Sequence, residues 1–346
     1  MNKGIFAIPI HDQDESFENI LNEVIELVVN SEKFGLNEAF FGEHITDRHE
    51  RITSSLMMVS ALSKLTSKIK LGTLTTNLNF YNPAVVASAI AMADNLTEGR
   101  LILGIGCGAN GSDLEAINLL ESENHKLMLE SYEIINQLLK SESFVDIKSE
   151  NYKVSTAKTN NEELGLGFFN RLYKNREDLE IIMPALNKNS YNVQLCAKNN
   201  WSIVISNFCS NDLVDNHINN YLKYSNLEKK EALKKIKLSR LIYVNESNNN
   251  ADKLVFSKDS PFMKVTEILF KKLKTFNKHH CFGENINTPI EAAKNTILYG
   301  SPDKIKNDLE ILKQKYGDIS SIIYVSVPKT KKKEFDNSLE LFSKYV

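Results

Sequence analysis

The sequence predicts an α/β protein of the (β/α)8, or TIM barrel, class. Three observations carry that expectation. Eight short apolar runs recur along the 346 residues, with stretches of helical periodicity between them. The runs lack polar alternation, which is the pattern of parallel strands covered on both faces. No repeat, low-complexity tract or Gly/Ser-rich linker divides the chain, so residues 1 to 346 read as a single domain. One long piece, residues 246 to 300 between the seventh and eighth runs, exceeds what a connecting helix requires and reads as an insertion or lid.

Taken in order, Ile5 to Ile10 forms the first strand and His11 to Glu15 a polar connection. Ser16 caps a helix whose Phe17, Ile20, Leu21, Val24, Leu27 and Val28 recur three and four apart, and Gly35 ends it. Ala39-Phe40-Phe41 is the second strand and runs into Gly42-Glu43-His44. Thr53 opens a helix through Leu65, Ile69 to Leu78 is the third strand, and Pro83 starts the helix Ala84 to Leu96. Leu101 to Ile105 is the fourth strand, followed by helical sequence up to Lys140. Phe144 to Ile147 and Tyr152 to Val154 make a small hairpin, and residues 155 to 180 are polar and irregular. Ile181 to Ala185 is the fifth strand, Tyr191 to Asn199 a helix, Trp201 to Ile205 the sixth strand, residues 227 to 235 a helix and Leu238 to Val244 the seventh strand. Ser301-Pro302-Asp303 begins the next helix, Ser321 to Val327 is the eighth strand, and a helix from Lys332 to Tyr345 closes the chain.

The fourth strand ends in Gly104-Ile105-Gly106-Cys107-Gly108-Ala109-Asn110-Gly111-Ser112-Asp113. Its glycines remove side chains and permit left-handed backbone, so a ligand can approach the chain closely. Ser112 or Asp113 is placed to cap the helix that follows, and bare N–H groups at a helix start attract phosphate. Residues 106 to 111 match G-x-G-x-x-G literally. A dinucleotide site of that type needs a βαβ unit of about thirty residues that opens on the first strand and closes on an acidic residue. Here the match lies on the fourth strand and the next thirty residues are helical, so it is not read as a dinucleotide fingerprint.

A formal net charge of -2 gives no electrostatic reason to expect nucleic acid or an anionic membrane as partner. No window of eighteen apolar residues suggests a membrane span. The four cysteines are widely separated and form no C-x-x-C pair, so neither a disulfide framework nor a zinc site is expected, and a reducing cytoplasm fits. His279-His280-Cys281 are adjacent, and adjacent ligands rarely face one ion together, so no metal is expected.

In a barrel of this class the active site lies at the carboxyl ends of the strands. The polar residues expected there are His11 and Asp12, Glu43 and His44, Thr75 to Asn79, Gly106 to Asn110, Asn187 to Asn192, and Asn207. Four motifs then resemble the bacterial luciferase-like flavin-dependent monooxygenases. They are Phe40-Phe41-Gly42-Glu43-His44 at strand two, Lys70-Leu71-Gly72-Thr73 with Asn82-Pro83 at strand three, Gly99 through Gly108 at strand four, and Tyr299-Gly300-Ser301-Pro302-Asp303 before the last barrel helix. The resemblance covers most of residues 1 to 140.

The resemblance implies reduced FMN, supplied by a separate flavin reductase and bound across the barrel mouth. It implies oxygen added at the flavin C4a position and oxygenation of a small organic substrate. Carried over residue by residue, His44 is the catalytic acid or base and Glu43 its neighbour near the flavin. Leu74 and Thr75 match the point where the family carries a non-proline cis peptide under the ring. Gly106, Cys107, Gly108, Ala109 and Asn110 match the strand-four loop at the flavin, and Asn189, Ser190 and Asn192 match the strand-five loop that holds its phosphate; Lys188 beside them and Asn207 at the next strand tip are further candidates. Cys107 stands where luciferases proper carry an arginine and Ile45 where they carry a second histidine, so phosphate binding leans on backbone donors, Lys188 or Ser190, and luminescence is not expected.

Residues 246 to 300 fall where the luciferase branch has a mobile loop, and Pro261, Phe262, Met263, His279, His280, Cys281 and Phe282 are its candidates to close over a substrate. A deazaflavin (F420-type) hydride-transfer enzyme of the same superfamily, or a non-catalytic flavin-binding barrel, fits the same residues. The helices at 53–65 and 84–96 carry apolar residues on more than one face, and the resemblance implies that they pair with a second subunit, like or unlike, in a dimer.

Overall fold

A computed structural model describes residues 1–7, 10–328 and 332–346. The fold is the expected closed (β/α)8 barrel of parallel strands: β1 (Asn2–Phe6), β2 (Glu38–Phe41), β3 (Lys70–Thr73), β4 (Leu101–Gly106), β5 (Glu180–Ala185), β6 (Ser202–Ile205), β7 (Ile236–Val244) and β8 (Ser321–Val325). Its residues group into two compact units, 1–40 with 182–346 and 41–181.

In the first unit β1 lies between β2 and β8, β8 pairs with β7, β7 with β6 and β6 with β5. The pairing Asn2↔Ser321 starts β1 earlier than its apolar run suggests, and the strand has ended by Phe6. Gly4 pairs with Glu38 and Lys237 with Ser321, which lines these positions up on one face. There the Lys237 ammonium meets the Glu38 carboxylate at 2.6 Å, with both side chains only 3% exposed. Ser321 donates to the other Glu38 oxygen, and the ammonium sits 5.8 Å from the Phe40 ring centroid. A Cβ on Gly4 would come within 2.7 Å of Glu38 Cγ, so this glycine makes the room that the buried pair needs. Removing one partner of such a pair would strand the other charge away from water.

The helices of this unit follow their caps. α1 (Phe17–Lys33) starts at Ser16, whose hydroxyl accepts from Asn19 N, and Gly35, at φ +88°, follows its end. The insertion after β7 folds into three α-helices and a short strand, Leu298–Gly300, that pairs in parallel with the end of β7. Phe262 is fully buried, 5.6 Å from the Tyr243 ring, in a cluster with Val265, Ala293 and Phe335. Cys281 and Phe282 are buried as well. Three of the residues expected to close over a substrate are therefore buried, Phe262 among side chains of the insertion, β7, β8 and the last helix, because burial removes them from water.

In the second unit the long third strand expected from residues 69 to 78 is interrupted. β3 stops at Thr73, the Leu74–Thr75 peptide bond is cis, as the resemblance implies, and a short strand Thr76–Asn77 resumes beside β4 before a 3-10 turn, Leu78–Phe80. α2 (Ser55–Leu62) is capped by Ser54, and α3 (Pro83–Leu96) by Asn82 with Pro83 in its first turn. Arg100 binds the carbonyls of Ser63, Thr66 and Ile69, so one guanidinium fixes the turn from α2 into β3. The irregular segment before β5 is held to α3 by Asp94, a fully buried carboxylate that accepts from Tyr173 N at 2.9 Å and from the Arg176 guanidinium.

Candidate active site

The site is built where β2, β3 and β4 end. All four residues of β2 are buried, so the chain leaves the sheet at Gly42 with Glu43 and His44 next in line. Glu43 is buried, and its carboxylate accepts from Ser55 N at 3.0 Å, Ser55 Oγ at 3.1 Å and Asn77 N at 3.3 Å. The Tyr81 hydroxyl binds it too. Burial pushes the Glu43 carboxyl up, against these donors, and burial together with the Glu43 charge pushes the Tyr81 phenol up, so the phenol stays a donor. Glu43 thus ties the start of α2 and the resumed third strand to the end of β2. That is the orienting role that a carboxylate saturated by backbone and hydroxyl donors performs.

His44 faces differently. Its backbone N–H bonds Ile52 O, its Nδ1 lies 3.1 Å from Asp113 Oδ2, and its side chain is 26% exposed. Asp113 is buried in α4 (Gly111–Ala116), and its Oδ1 accepts from Thr46 N at 2.7 Å and Thr46 Oγ1 at 2.5 Å. Burial opposes the charge on His44, but the Asp113 hydrogen bond and the Glu50, Asp113 and Asp47 carboxylates outweigh it and hold the imidazole above its usual value. Burial likewise opposes the charge on Asp113, yet the His44 and Thr46 bonds keep its carboxyl below the usual range. Local sequence pattern placed Asp113, the carboxylate that meets His44, only as a helix cap. The cap of α4 is Asn110, whose Oδ1 accepts from Ser112 N, and this leaves the Asp113 carboxylate for His44.

The strand-four glycines serve strand three. A Cβ on Gly104 would sit 1.9 Å from Thr73 O, and one on Gly106 would sit 2.1 Å from Thr75 Oγ1. Of Gly104, Gly106 and Gly108, the left-handed backbone expected of all three is adopted only by Gly108, at φ +76°. Asn77 Oδ1 accepts from Gly108 N at 3.1 Å and Thr75 Oγ1 at 3.0 Å, so the cis-peptide segment and the loop are fastened by one amide. Below them Asn79 Nδ2 donates to Cys107 O and to Asn124 Oδ1, while Asn79 Oδ1 is buried without a partner among the described residues. Cys107 is half-buried and Ala109 exposed. His44, Glu43, Leu74, Thr75 and Gly106 to Asn110 are therefore gathered in one unit.

The strand-five candidates lie in the other unit, and most of them are occupied. Asn189, at φ +54°, exchanges hydrogen bonds with Asn216 and accepts from Asn220, which clamps its loop to α7 (Asn211–Tyr224). Asn192 Nδ2 donates to Pro184 O, and the Lys188 ammonium is 3.3 Å from Glu284 of the insertion. Asn207 is buried just past β6. Ser190 precedes α6 (Tyr191–Lys198) and makes no side-chain cap bond there. Among the described residues no group of three or more His, Cys, Asp or Glu side chains converges on one point, and no helix is long and apolar enough to cross a membrane.

A (β/α)8 barrel whose strand tips gather an imidazole–carboxylate pair and a glycine-rich loop has the build of a barrel enzyme. Residues 1–163 match the model of the luciferase-like monooxygenase family, and the chain is a relative of those enzymes, as its motifs indicate. Limonene 1,2-monooxygenase of Rhodococcus erythropolis is 29% identical over 140 residues, 40% of this chain, and the match spans only 36% of that enzyme's length. 2,5-Diketocamphane 1,2-monooxygenase 1 of Pseudomonas putida is 23% identical over 94% of this chain and 92% of its own. Among solved structures, the oxygenating constituent of 3,6-diketocamphane monooxygenase from Pseudomonas putida, a Type II Baeyer-Villiger monooxygenase in complex with FMN, superimposes with a TM-score of 0.86. It is 19% identical, with 100% of this chain and 97% of that chain covered, and it shows the shared fold. F420-dependent enzymes also occur among the relatives.

Proposed function

We propose that the protein is a flavin-dependent monooxygenase, one catalytic domain that uses reduced FMN and O2 to oxygenate a small organic substrate. The observation that carries this reading is the near full-length relation to a diketocamphane monooxygenase. His44, whose Nε2 has no partner among the described residues, is its acid/base group. The residues present suit a flavin. Around the loop after β4 the polar groups include an imidazole, amides and hydroxyls, and the Glu43 and Asp113 carboxylates are already hydrogen-bonded. Such donors serve the carbonyls and ring nitrogens of a flavin. Leu74, Thr75 and Gly106 to Asn110, which lie in one unit, would hold the ring. Bound there, reduced flavin would supply the electrons that activate oxygen, while His44 holds or moves a proton at Nε2.

Protein mixed anaerobically with photoreduced FMN should bind it, and it should change the course of its reoxidation when air is admitted. No affinity for FMN in either redox state, with unchanged reoxidation, rejects the proposal. Binding of reduced F420 instead, with hydride transfer and no oxygen uptake, would establish the second reading that the F420-dependent relatives favour. His44→Ala should lower turnover about a hundredfold or more while the FMN dissociation constant changes only a few-fold. Equal turnover in the variant would make the histidine structural. The partners of this reading are a reductase that delivers reduced FMN and a second subunit.

A further inference from the structure

We propose that Asp113 is the positioning residue of His44: its carboxylate holds the Nδ1–H, so Nε2 is the atom offered to the reacting group, as a proton donor to an oxyanion. This rests on the reading of His44 as the acid/base residue. An ionised carboxylate only accepts, so the 3.1 Å contact requires the hydrogen on Nδ1. The second Asp113 oxygen is already filled by the N–H and O–H of Thr46, and Thr46 Oγ1 also meets Ser112 Oγ at 2.6 Å. The carboxylate therefore cannot swing away without breaking two bonds. The adjacent carboxylate, Glu43, is bonded to Ser55, Asn77 and Tyr81 and is not a competitor for the ring.

The charges that act on the imidazole are all negative: Asp113 from α4, and Asp47 and Glu50 from the loop that follows His44. They favour the cation, in which both ring nitrogens carry hydrogen. On transfer the Nε2–H bond breaks and an oxyanion electron pair forms O–H. A neutral imidazole remains with its Nδ1–H still on Asp113, and solvent reprotonates Nε2.

The test is a pH titration of His44 in 15N-histidine-labelled, flavin-free protein followed by NMR. Wild type should titrate above the ordinary histidine value, about 6.5, with the neutral form protonated on Nδ1. Asp113→Asn should lower the midpoint by about one pH unit, a tenfold change in the proton equilibrium, and Asp113→Glu should restore most of it. Thr46→Val, which removes a donor from the carboxylate, should raise the midpoint by a few tenths of a unit and keeps the test available if Asp113→Asn does not fold. A midpoint unmoved in Asp113→Asn, or unmoved in Thr46→Val where that is the variant read, or a neutral form protonated on Nε2, overturns the proposal. Since no flavin is present, absent FMN binding would sink the monooxygenase reading and leave this readout intact.

Discussion

Gly104 is set by a neighbour rather than by a ligand. Its Cα faces Thr73 O so closely that a methyl group would overlap the carbonyl, and Thr73 Oγ1 in turn donates to Gly104 O and accepts from Gly104 N. Gly104→Ala must force β3 and β4 apart, and urea unfolding should show a loss of about 3 kcal/mol, the upper end of ordinary overpacking; a loss below 0.5 kcal/mol would mean that the strands part without strain. The glycines themselves were visible in the sequence as Gly104, Gly106 and Gly108, but their reason was not, because it lies in a strand some thirty residues earlier. Asp113 is the same case at longer range. Its partner His44 is 69 positions away, and nothing local distinguishes a carboxylate that caps a helix from one that leaves the cap to Asn110.

Among the barrel helices, α7 is one that the periodicity did not yield. Its buried stripe, Leu213, Val214, His217, Ile218 and Tyr221, has helical spacing, but six Asn and Asp residues dilute it. One stripe position carries a latent cost. His217 is fully buried, neither ring nitrogen meets a partner at hydrogen-bonding geometry among the described residues, and burial pushes it down to about 4, only partly offset by the Leu186 backbone. The folded state therefore prefers the neutral ring. The stability this gives is complete above the ordinary value of about 6.5 and is lost as pH falls from there toward 4, by roughly 3 kcal/mol. Denaturant unfolding across pH 4 to 7 should show this loss in wild type and a much flatter profile in His217→Leu; parallel profiles would show that the histidine is solvated in the native state.

For the molecule as a whole, the barrel was readable because its strands are continuous apolar runs: every residue of β4, Leu101–Gly106, is buried, as a strand covered on both faces requires. The strand-five loop was less readable, since Asn189 and Asn192 have the polarity of ligand donors but bond within their own unit. Met57 of α2 and Val85 and Met92 of α3 are 73%, 63% and 63% exposed, beside a Leu65 that is also exposed. The two helices contact each other, and exposed apolar side chains on neighbouring helices are what a partner would cover. A dimer should be found by light scattering, and Met57→Glu with Met92→Glu should reduce it to monomer with the fold kept; a wild-type monomer at high concentration would leave this face without a partner.

Burial also decides the thiol chemistry. Cys196, Cys209 and Cys281 are sealed inside, and burial holds their thiols protonated, whereas Cys107 is half-exposed in the loop after β4. Three sulfurs are thus closed to alkylating reagents and one is open. The chain carries its own single attachment point for a dye or spin label, on the loop that Asn77 fastens.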